Sequence, residues 1–160
     1  MKLALKCCFI SCFKKKYKHP MNLTKNEAIS SLREWLMAWN QHDLPKVMDY
    51  LHDNVVFENY TGAVIVSKIR LQIAWTPWFL NHGNFSFVEE DIFFDQDEQK
   101  MLLQWCLEWP SPEKSFLGKR EIRRGADVLY FVDGKVIRKQ SYSKTFIQIE
   151  KSTVCLKAAR

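Results

Sequence analysis

One stretch of this sequence places a carboxylate inside an otherwise apolar strand. Residues 126–132 are β-branched and aromatic on both faces, and the Asp133-Gly134 pair that follows is a strong signal for a two-residue hairpin turn. A strand that is apolar on both sides is covered on both sides, so Asp127 is expected to be desolvated. A buried carboxylate must be hydrogen-bonded, ion-paired or protonated, because an isolated charge is costly away from water. The stretch therefore predicts a packed β-structure and marks Asp127 as a candidate for chemistry.

The register of this hairpin decides what Asp127 can do. With a two-residue turn Asp127 lies opposite Gln140, whereas a shifted register would offer Lys139 or Ser141. A Gln140 or Ser141 partner would leave the carboxyl able to exchange a proton. An ion pair with Lys139 would hold it ionised. The alternative to a catalytic role is a structural carboxylate bonded to the neighbouring strand.

Helix signals come first in the chain and strand signals follow. Thr24 and Glu27 form a capping box that opens a helix to about Asn40, and Asp43 caps a second helix. Helices followed by a meander of antiparallel strands indicate an α+β fold, with the helices packed on one face of a curved sheet. The later predicted elements are strands at 55–59 and 63–66, a helix at 67–79, and strands at 85–94, 100–109, 119–132 and 135–142, the last with a potential extension through 144–149.

The chain is expected to form one domain with a short extension at each end. A length of 160 residues suits a single core. Residues 1–20 hold six lysines and no acid, so the other 18 basic residues equal the 18 acidic ones. We assign 1–20 to a disordered or peripheral extension, 21–150 to the domain and 151–160 to a C-terminal tail. The alternatives for 1–20 are a weak membrane anchor, since cysteines accompany the lysines, and a misassigned start with Met21 as initiator.

Charge and cysteine content argue against several kinds of function. A neutral domain lacks the basic face that nucleic acid requires, so no nucleic-acid partner is expected. The five cysteines show neither a C-x-x-C pair nor a Cys/His ligand spacing, so we predict no disulfide framework, no metal and no cofactor. These features favour a cytoplasmic protein. The last strands are apolar on both faces and helices cover only one, which predicts a homodimer.

Three local motifs, taken with the order of elements, carry a family resemblance. They are AWNQHDL at 38–44, VVFENYTG at 55–62 and RGADVLYFVDGKVIRKQSY at 124–142. Together they resemble the nuclear transport factor 2-like superfamily, in particular its SnoaL-like and ketosteroid isomerase-like members, over about residues 24–144. The resemblance implies a cone-shaped, cystatin-like fold, in which N-terminal helices and a strongly curved mixed or antiparallel sheet enclose one apolar cavity. Function stays open, because this fold hosts isomerases, polyketide cyclases, dehydratases, hydrolases and non-catalytic adaptors.

The resemblance implies roles for three positions. Ketosteroid isomerase uses one Asp as base, and a Tyr with a protonated Asp as oxyanion donors. The protonated donor corresponds to Asp127, the base to Asn59, and the Tyr donor to a position near Trp35. Asn59 cannot abstract a proton and Trp35 offers only an indole N–H, so that isomerisation mechanism is not expected here. SnoaL-like cyclases use a late-chain acidic residue as acid/base, a role open to Asp127.

The candidate ligand-binding residues are mostly aromatic. Asn59 and Tyr60 could orient a ligand carbonyl, or could serve the turn that follows them. Arg123 could bind an anionic ligand group at the cavity mouth, or could be solvated. Tyr142 could donate its hydroxyl, or could lie in a dimer interface. Aromatic residues at helical spacing form either a plain core or a cavity wall, and the candidates for this wall are Trp35, Trp39, Trp75, Trp78, Phe79 and Trp105.

Two functions fit these features. The first is binding of a small apolar, carbonyl-bearing molecule in an internal pocket, with proton transfer, cyclisation or hydration catalysed by Asp127 as acid/base. The second is a non-catalytic ligand-binding or dimerisation module whose cavity is filled by its own side chains. The sequence does not decide whether the chain is an enzyme. An open pocket of roughly 300 Å³ or more with Asp127 in its wall would favour the first.

Overall fold

A computed structural model describes residues 21–156, so the extension predicted for 1–20 lies outside the described residues. Helices and strands alternate in the first half of these residues, and strands dominate the second. A 3-10 helix at Lys114–Phe116 lies in the connection before the fifth strand. The elements are α1 (Lys25–Asn40), α2 (Leu44–Asp49), β1 (Leu51–Glu58), β2 (Val64–Val66), α3 (Lys68–Leu80), β3 (Ser86–Asp95), β4 (Lys100–Pro110), β5 (Arg120–Val132), β6 (Lys135–Ser143), β7 (Phe146–Ile149) and β8 (Ser152–Cys155).

The first two helices begin where their capping residues predict. The Thr24 hydroxyl accepts the Glu27 backbone N–H, and the Glu27 carboxylate accepts the Thr24 backbone N–H, which confirms the capping box. Asp43 caps α2 by accepting the Lys46 backbone N–H, and Pro45 stands in its first turn, where a missing N–H has no consequence. These caps fix the residues at which α1 and α2 begin. The start of α1 in turn fixes which of its faces packs against the sheet.

The strands form a strongly curved mixed sheet in the order β2-β1-β6-β5-β4-β3. β1 runs parallel to β6, and the other pairs along this path are antiparallel. Irregularities in β3 and β6 bend the sheet, as bulges do in general. The predicted extension of β6 is a separate strand, β7, which pairs with the start of β5, and β8 pairs with β7 inside the segment assigned to the C-terminal tail.

The β5–β6 hairpin carries the predicted two-residue turn, but its register differs from the one the turn implies. Asp133 and Gly134 both have positive φ, 50° and 72°, as a type I′ turn requires. A bulge at Ile137 of β6, which is left unpaired between the Tyr130–Arg138 and Phe131–Val136 pairs, then moves the pairing by one residue. Asp127 therefore lies opposite Ser141, as the shifted register that the sequence left open allows, and not opposite Gln140.

The core lies between the helices and the concave face of the sheet. The buried face of α1, which includes Leu32, Trp35 and Trp39, packs against β3, and α3 packs against β1. The convex face carries no helix among the described residues, and Phe93 on it is 67% exposed. Among residues 21–156 no helix is both long and apolar enough to cross a membrane.

Candidate functional site

A cavity of about 260 Å³ lies between the helices and the concave face of the sheet. Its volume is slightly below the roughly 300 Å³ at which ordinary ligand pockets begin, so it suits a molecule smaller than a typical drug. Side chains from α1, α3 and the strands share its wall. The predicted site residues that line it are Trp35, Trp39, Asn59, Tyr60, Trp75, Trp78, Trp105 and Asp127.

Trp39 is the centre of the aromatic wall. Its ring lies edge-on to Trp75 with centroids 4.8 Å apart, and it also contacts Trp78 at 5.6 Å and Trp35 at 5.9 Å. Such pairs are favourable beyond their buried area and hold each ring in one orientation. The Trp35 indole donates to the Val47 carbonyl at 3.0 Å, so this donor is already used by the fold.

A buried ion pair supplies the charge in this wall. The Lys139 Nζ lies 2.6 Å from Asp127 Oδ2, and the two side chains are 11% and 7% exposed. Lys139 also donates to Ser141 Oγ at 2.6 Å. Positions 139 and 141 share one face of β6, and the bulge at Ile137 brings Asp127 opposite that face. Of the partners left open by the sequence, the structure therefore shows Lys139 bonded to Asp127, with Ser141 bonded to Lys139.

Two buried polar atoms of the cavity wall have no hydrogen-bond partner within residues 21–156. They are Asp127 Oδ1, an acceptor, and Trp105 Nε1, a donor. Leaving a buried polar group unsatisfied costs about 1–3 kcal/mol, and most such groups in native proteins are paired. Both residues line the cavity. A molecule that offers one acceptor and one exchangeable proton would satisfy both atoms.

Asn59 and Tyr60 take part in the turn after β1 while also lining the cavity. Asn59 Oδ1 accepts the Tyr60 backbone N–H at 2.8 Å, and the Asn59 carbonyl accepts the Gly62 N–H at 2.8 Å. The turn thus uses one polar atom of the Asn59 side chain. Burial raises the pKa of the Tyr60 hydroxyl above its usual value, which keeps it a neutral donor near pH 7.

Three predicted binding residues lie outside the cavity wall. Phe79 packs behind it against Trp39, with ring centroids 5.1 Å apart. Arg123 is not solvated, because its side chain is 1% exposed and ion-paired with Glu121. Tyr142 is 55% exposed on the convex face. None of the three lines the central cavity, and their predicted ligand-binding roles stay predictions.

Several lining residues were absent from the predicted set. Three of them, Leu103, Leu107 and Trp109, alternate with Trp105 along one face of β4 and could have been found from that spacing. Phe57 and Phe87 lie on β1 and β3. No local sequence pattern shows that these two strands reach the cavity. Within the described residues, no group of three His, Cys, Asp or Glu side chains converges as metal ligands do.

Comparisons with known proteins support the fold and the family. The model of the SnoaL-like domain matches residues 32–139, and no curated protein matches the sequence. The epoxide hydrolase/cyclase-like enzyme SalBIII, described for pyran ring formation in the polyether salinomycin, is similar in structure (TM-score 0.67; 12% identity; 78% of this chain and 96% of that chain covered).

Two further solved structures are similar. One is an LEH-like epoxide hydrolase of M. tuberculosis (TM-score 0.61; 20% identity; 74% and 84% of the two chains covered). The other is a protein of unknown function with a cystatin-like fold from Methylobium petroleophilum PM1 (TM-score 0.63; 12% identity; 84% and 86% covered). These likenesses confirm the predicted fold class and the predicted resemblance. Since the family model matches more than half of the chain, this protein belongs to the SnoaL-like domain family.

Proposed function

We propose that this protein binds a small, largely apolar molecule with a carbonyl or comparable oxygen function, and transfers protons on it with the Asp127–Lys139 pair. The observation that carries the proposal is the unpaired Asp127 Oδ1 in the wall of an aromatic cavity. The unpaired Trp105 N–H supports a ligand oxygen on the same face of the sheet. An ordinary core would have no reason to keep both atoms unsatisfied.

In this proposal Asp127 acts as the base and Lys139 as the acid, because the two side chains form an ion pair in the cavity wall. As an ionised group, Asp127 Oδ1 can accept a proton from the ligand or from a water molecule. Lys139, 2.6 Å from the other carboxylate oxygen, can donate a proton to the oxygen on which negative charge develops. The pair stays neutral overall, because one proton arrives at Asp127 and one leaves Lys139. An apolar cavity favours such an exchange, since a net charge would be poorly solvated there.

The structural relatives indicate which reactions fit this exchange. An epoxide hydrolase and a cyclase-like enzyme are among the similar structures. Opening an epoxide with water, or closing a ring with a hydroxyl, removes a proton from the nucleophile and delivers one to the departing oxygen. Both reactions need a base and an acid together, as does enolisation of a ketone. Hydration, cyclisation and enolisation are therefore the reaction classes to test.

A deuterium-exchange experiment tests the proposal directly. Menthone, an apolar ten-carbon ketone, and cyclohexene oxide would be incubated with the protein in D₂O, and α-deuteration or diol formation would be followed by NMR. We expect turnover by the native protein and its loss in both Asp127→Asn and Lys139→Met. Glu98→Gln is the matched control, because Glu98 is exposed and, among residues 21–156, its carboxylate pairs only with the exposed Lys100.

Two results decide between the candidate functions. Turnover that survives in Asp127→Asn would show that Asp127 is not the base. Binding without turnover, seen as a change in tryptophan emission with no product, would favour the alternative of a non-catalytic ligand-binding module. That alternative has one observation in its favour, since a carboxylate paired with Lys139 also serves as a purely structural group.

We also propose that the protein is a cytoplasmic homodimer. The convex sheet face exposes Val88, Phe93 and Tyr142, an apolar group of the kind that a second copy covers. Introducing a charge by Phe93→Asp should convert a dimer to a monomer in light scattering, with the circular dichroism spectrum unchanged. A native protein that is monomeric at 100 μM would overturn the dimer proposal. The cytoplasmic location is inferred from the cysteine pattern alone.

A further inference from the structure

A second buried charge pair lies beyond the cavity wall, at the start of β5. Glu121 is fully buried and Arg123 is 1% exposed, with Arg123 Nε 2.6 Å from Glu121 Oε1. Glu121 also accepts the Trp109 indole N–H at 2.9 Å and the Ser111 hydroxyl at 2.7 Å. The carboxylate is therefore fully satisfied by the fold, and it holds the guanidinium plane in a fixed position.

The guanidinium keeps one donor unused. Arg123 Nη2 lies 3.2 Å from Glu113 Oε1, but the buried Nη1 has no acceptor within residues 21–156. Arg123 lines a concavity of about 460 Å³ that is separate from the central cavity. Phe116, Val154 and Leu156 supply apolar surface to the same concavity. A rigid, buried N–H donor thus stands beside an apolar surface, and this combination binds small ligands with one polar group.

The charges around Arg123 select the kind of ligand. Glu121 already neutralises the guanidinium, and at the rim the charge of Glu113, whose side chain is 37% exposed, is offset by Lys114, which lines the same concavity. The concavity therefore has no net positive charge to attract a carboxylate or phosphate, and either anion would lose its hydration there without compensation. We propose that the concavity is a second ligand site, in which Arg123 Nη1 donates to a neutral oxygen acceptor such as an amide or ketone carbonyl with a short apolar tail.

One side chain connects this second site with the central cavity. Tyr60 lines both, and the Arg123 guanidinium carbon lies 4.8 Å from the centroid of its ring. The proposal rests on Arg123 and its neighbours, not on the Asp127–Lys139 pair, so the two sites can be tested separately. A ligand at the second site touches the Tyr60 ring, whereas the Trp105 indole lines only the central cavity.

NMR titration with two matched probes tests the second site. Hexanamide and hexanoate share one alkyl chain and differ in charge at pH 7. We expect hexanamide to shift the side-chain N–H resonances of Arg123 and the methyl resonances of Val154, which lines only the second site, and hexanoate to bind at least tenfold more weakly by the same resonances. Binding in the central cavity would instead shift the Trp105 indole resonance, so the two sites are read independently.

A charge variant supplies the control. Glu113→Gln removes the rim charge but leaves the buried Glu121–Arg123 pair in place. It should leave hexanamide affinity within about twofold and bring hexanoate to within about threefold of it, whereas Glu98→Gln should change neither. Stronger binding of hexanoate than of hexanamide by the native protein would overturn the choice of a neutral acceptor. No shift at Arg123 with either probe, up to 50 mM, would show that the concavity is not a site.

Discussion

Breaking the Asp127–Lys139 pair one residue at a time should destabilise the protein far more than removing it whole. Either single change, Asp127→Asn or Lys139→Met, leaves one charge without its partner. The side chains are 7% and 11% exposed, so little solvent can replace the lost partner. Removing one member of a buried pair costs about 3–5 kcal/mol, and residual exposure places this pair near 3 kcal/mol. The double variant has no charge to bury, and we expect it within about 1 kcal/mol of the native protein.

Urea denaturation followed by tryptophan emission measures these differences. A protein of this size has a slope of roughly 2 kcal/mol per molar urea, so a loss of about 3 kcal/mol lowers the unfolding midpoint by roughly 1.5 M. The double variant should unfold within about 0.5 M of the native midpoint. A coupling energy of several kcal/mol follows, because the single effects do not add. Additive effects in the double variant, or single effects below about 1 kcal/mol, would refute a desolvated ion pair.

Two further predictions concern Gly125 and the first capping box. In Gly125→Ala the new methyl group would overlap the Tyr142 carbonyl oxygen and the Trp105 ring. We therefore expect the free energy of unfolding to fall by about 1–3 kcal/mol and the tryptophan emission maximum to shift. An unchanged thermal midpoint would contradict this contact. Hydrogen bonds from Thr24 lower the pKa of Glu27 below 4.5, so its stabilising contribution is present above pH 4.5 and is lost as pH falls through the lowered value. Glu27→Gln should flatten the decline of the urea midpoint between pH 5 and 3, and an unchanged slope would contradict the capping role.

Local chemistry made the helices and the main hairpin predictable. The Thr24–Glu27 box fixes the first turn of α1 by contacts within four residues, and the Asp133-Gly134 turn depends only on two positive φ angles. The β7–β8 hairpin was not predicted, because its turn has no such local marker. Its turn places Glu150 at φ 55°, and a non-glycine residue in this conformation gives no sequence signal.

The partners of buried charges were less predictable, because they depend on contacts between strands. The bulge at Ile137 is not encoded by a glycine or any other local marker, yet it alone moves Asp127 from Gln140 to the face of Lys139. Arg123 was interpreted as solvated or ligand-binding, although Glu121 two residues before it lies on the same strand face. Opposite charges at this spacing in an apolar strand are a usable signal for a buried pair.

The inward face of β5 explains why the molecule holds two separate polar sites. Positions 121, 123, 125, 127 and 129 share this face, and the charged pairs at Glu121–Arg123 and Asp127–Lys139 lie on either side of Gly125. The Trp105 ring lies against Gly125, where any side chain would collide with it. An aromatic partition therefore separates the two pairs. Each pair is neutral by itself, so the central cavity and the concavity both favour uncharged ligands. In the central cavity, protons can be exchanged without building up a net charge.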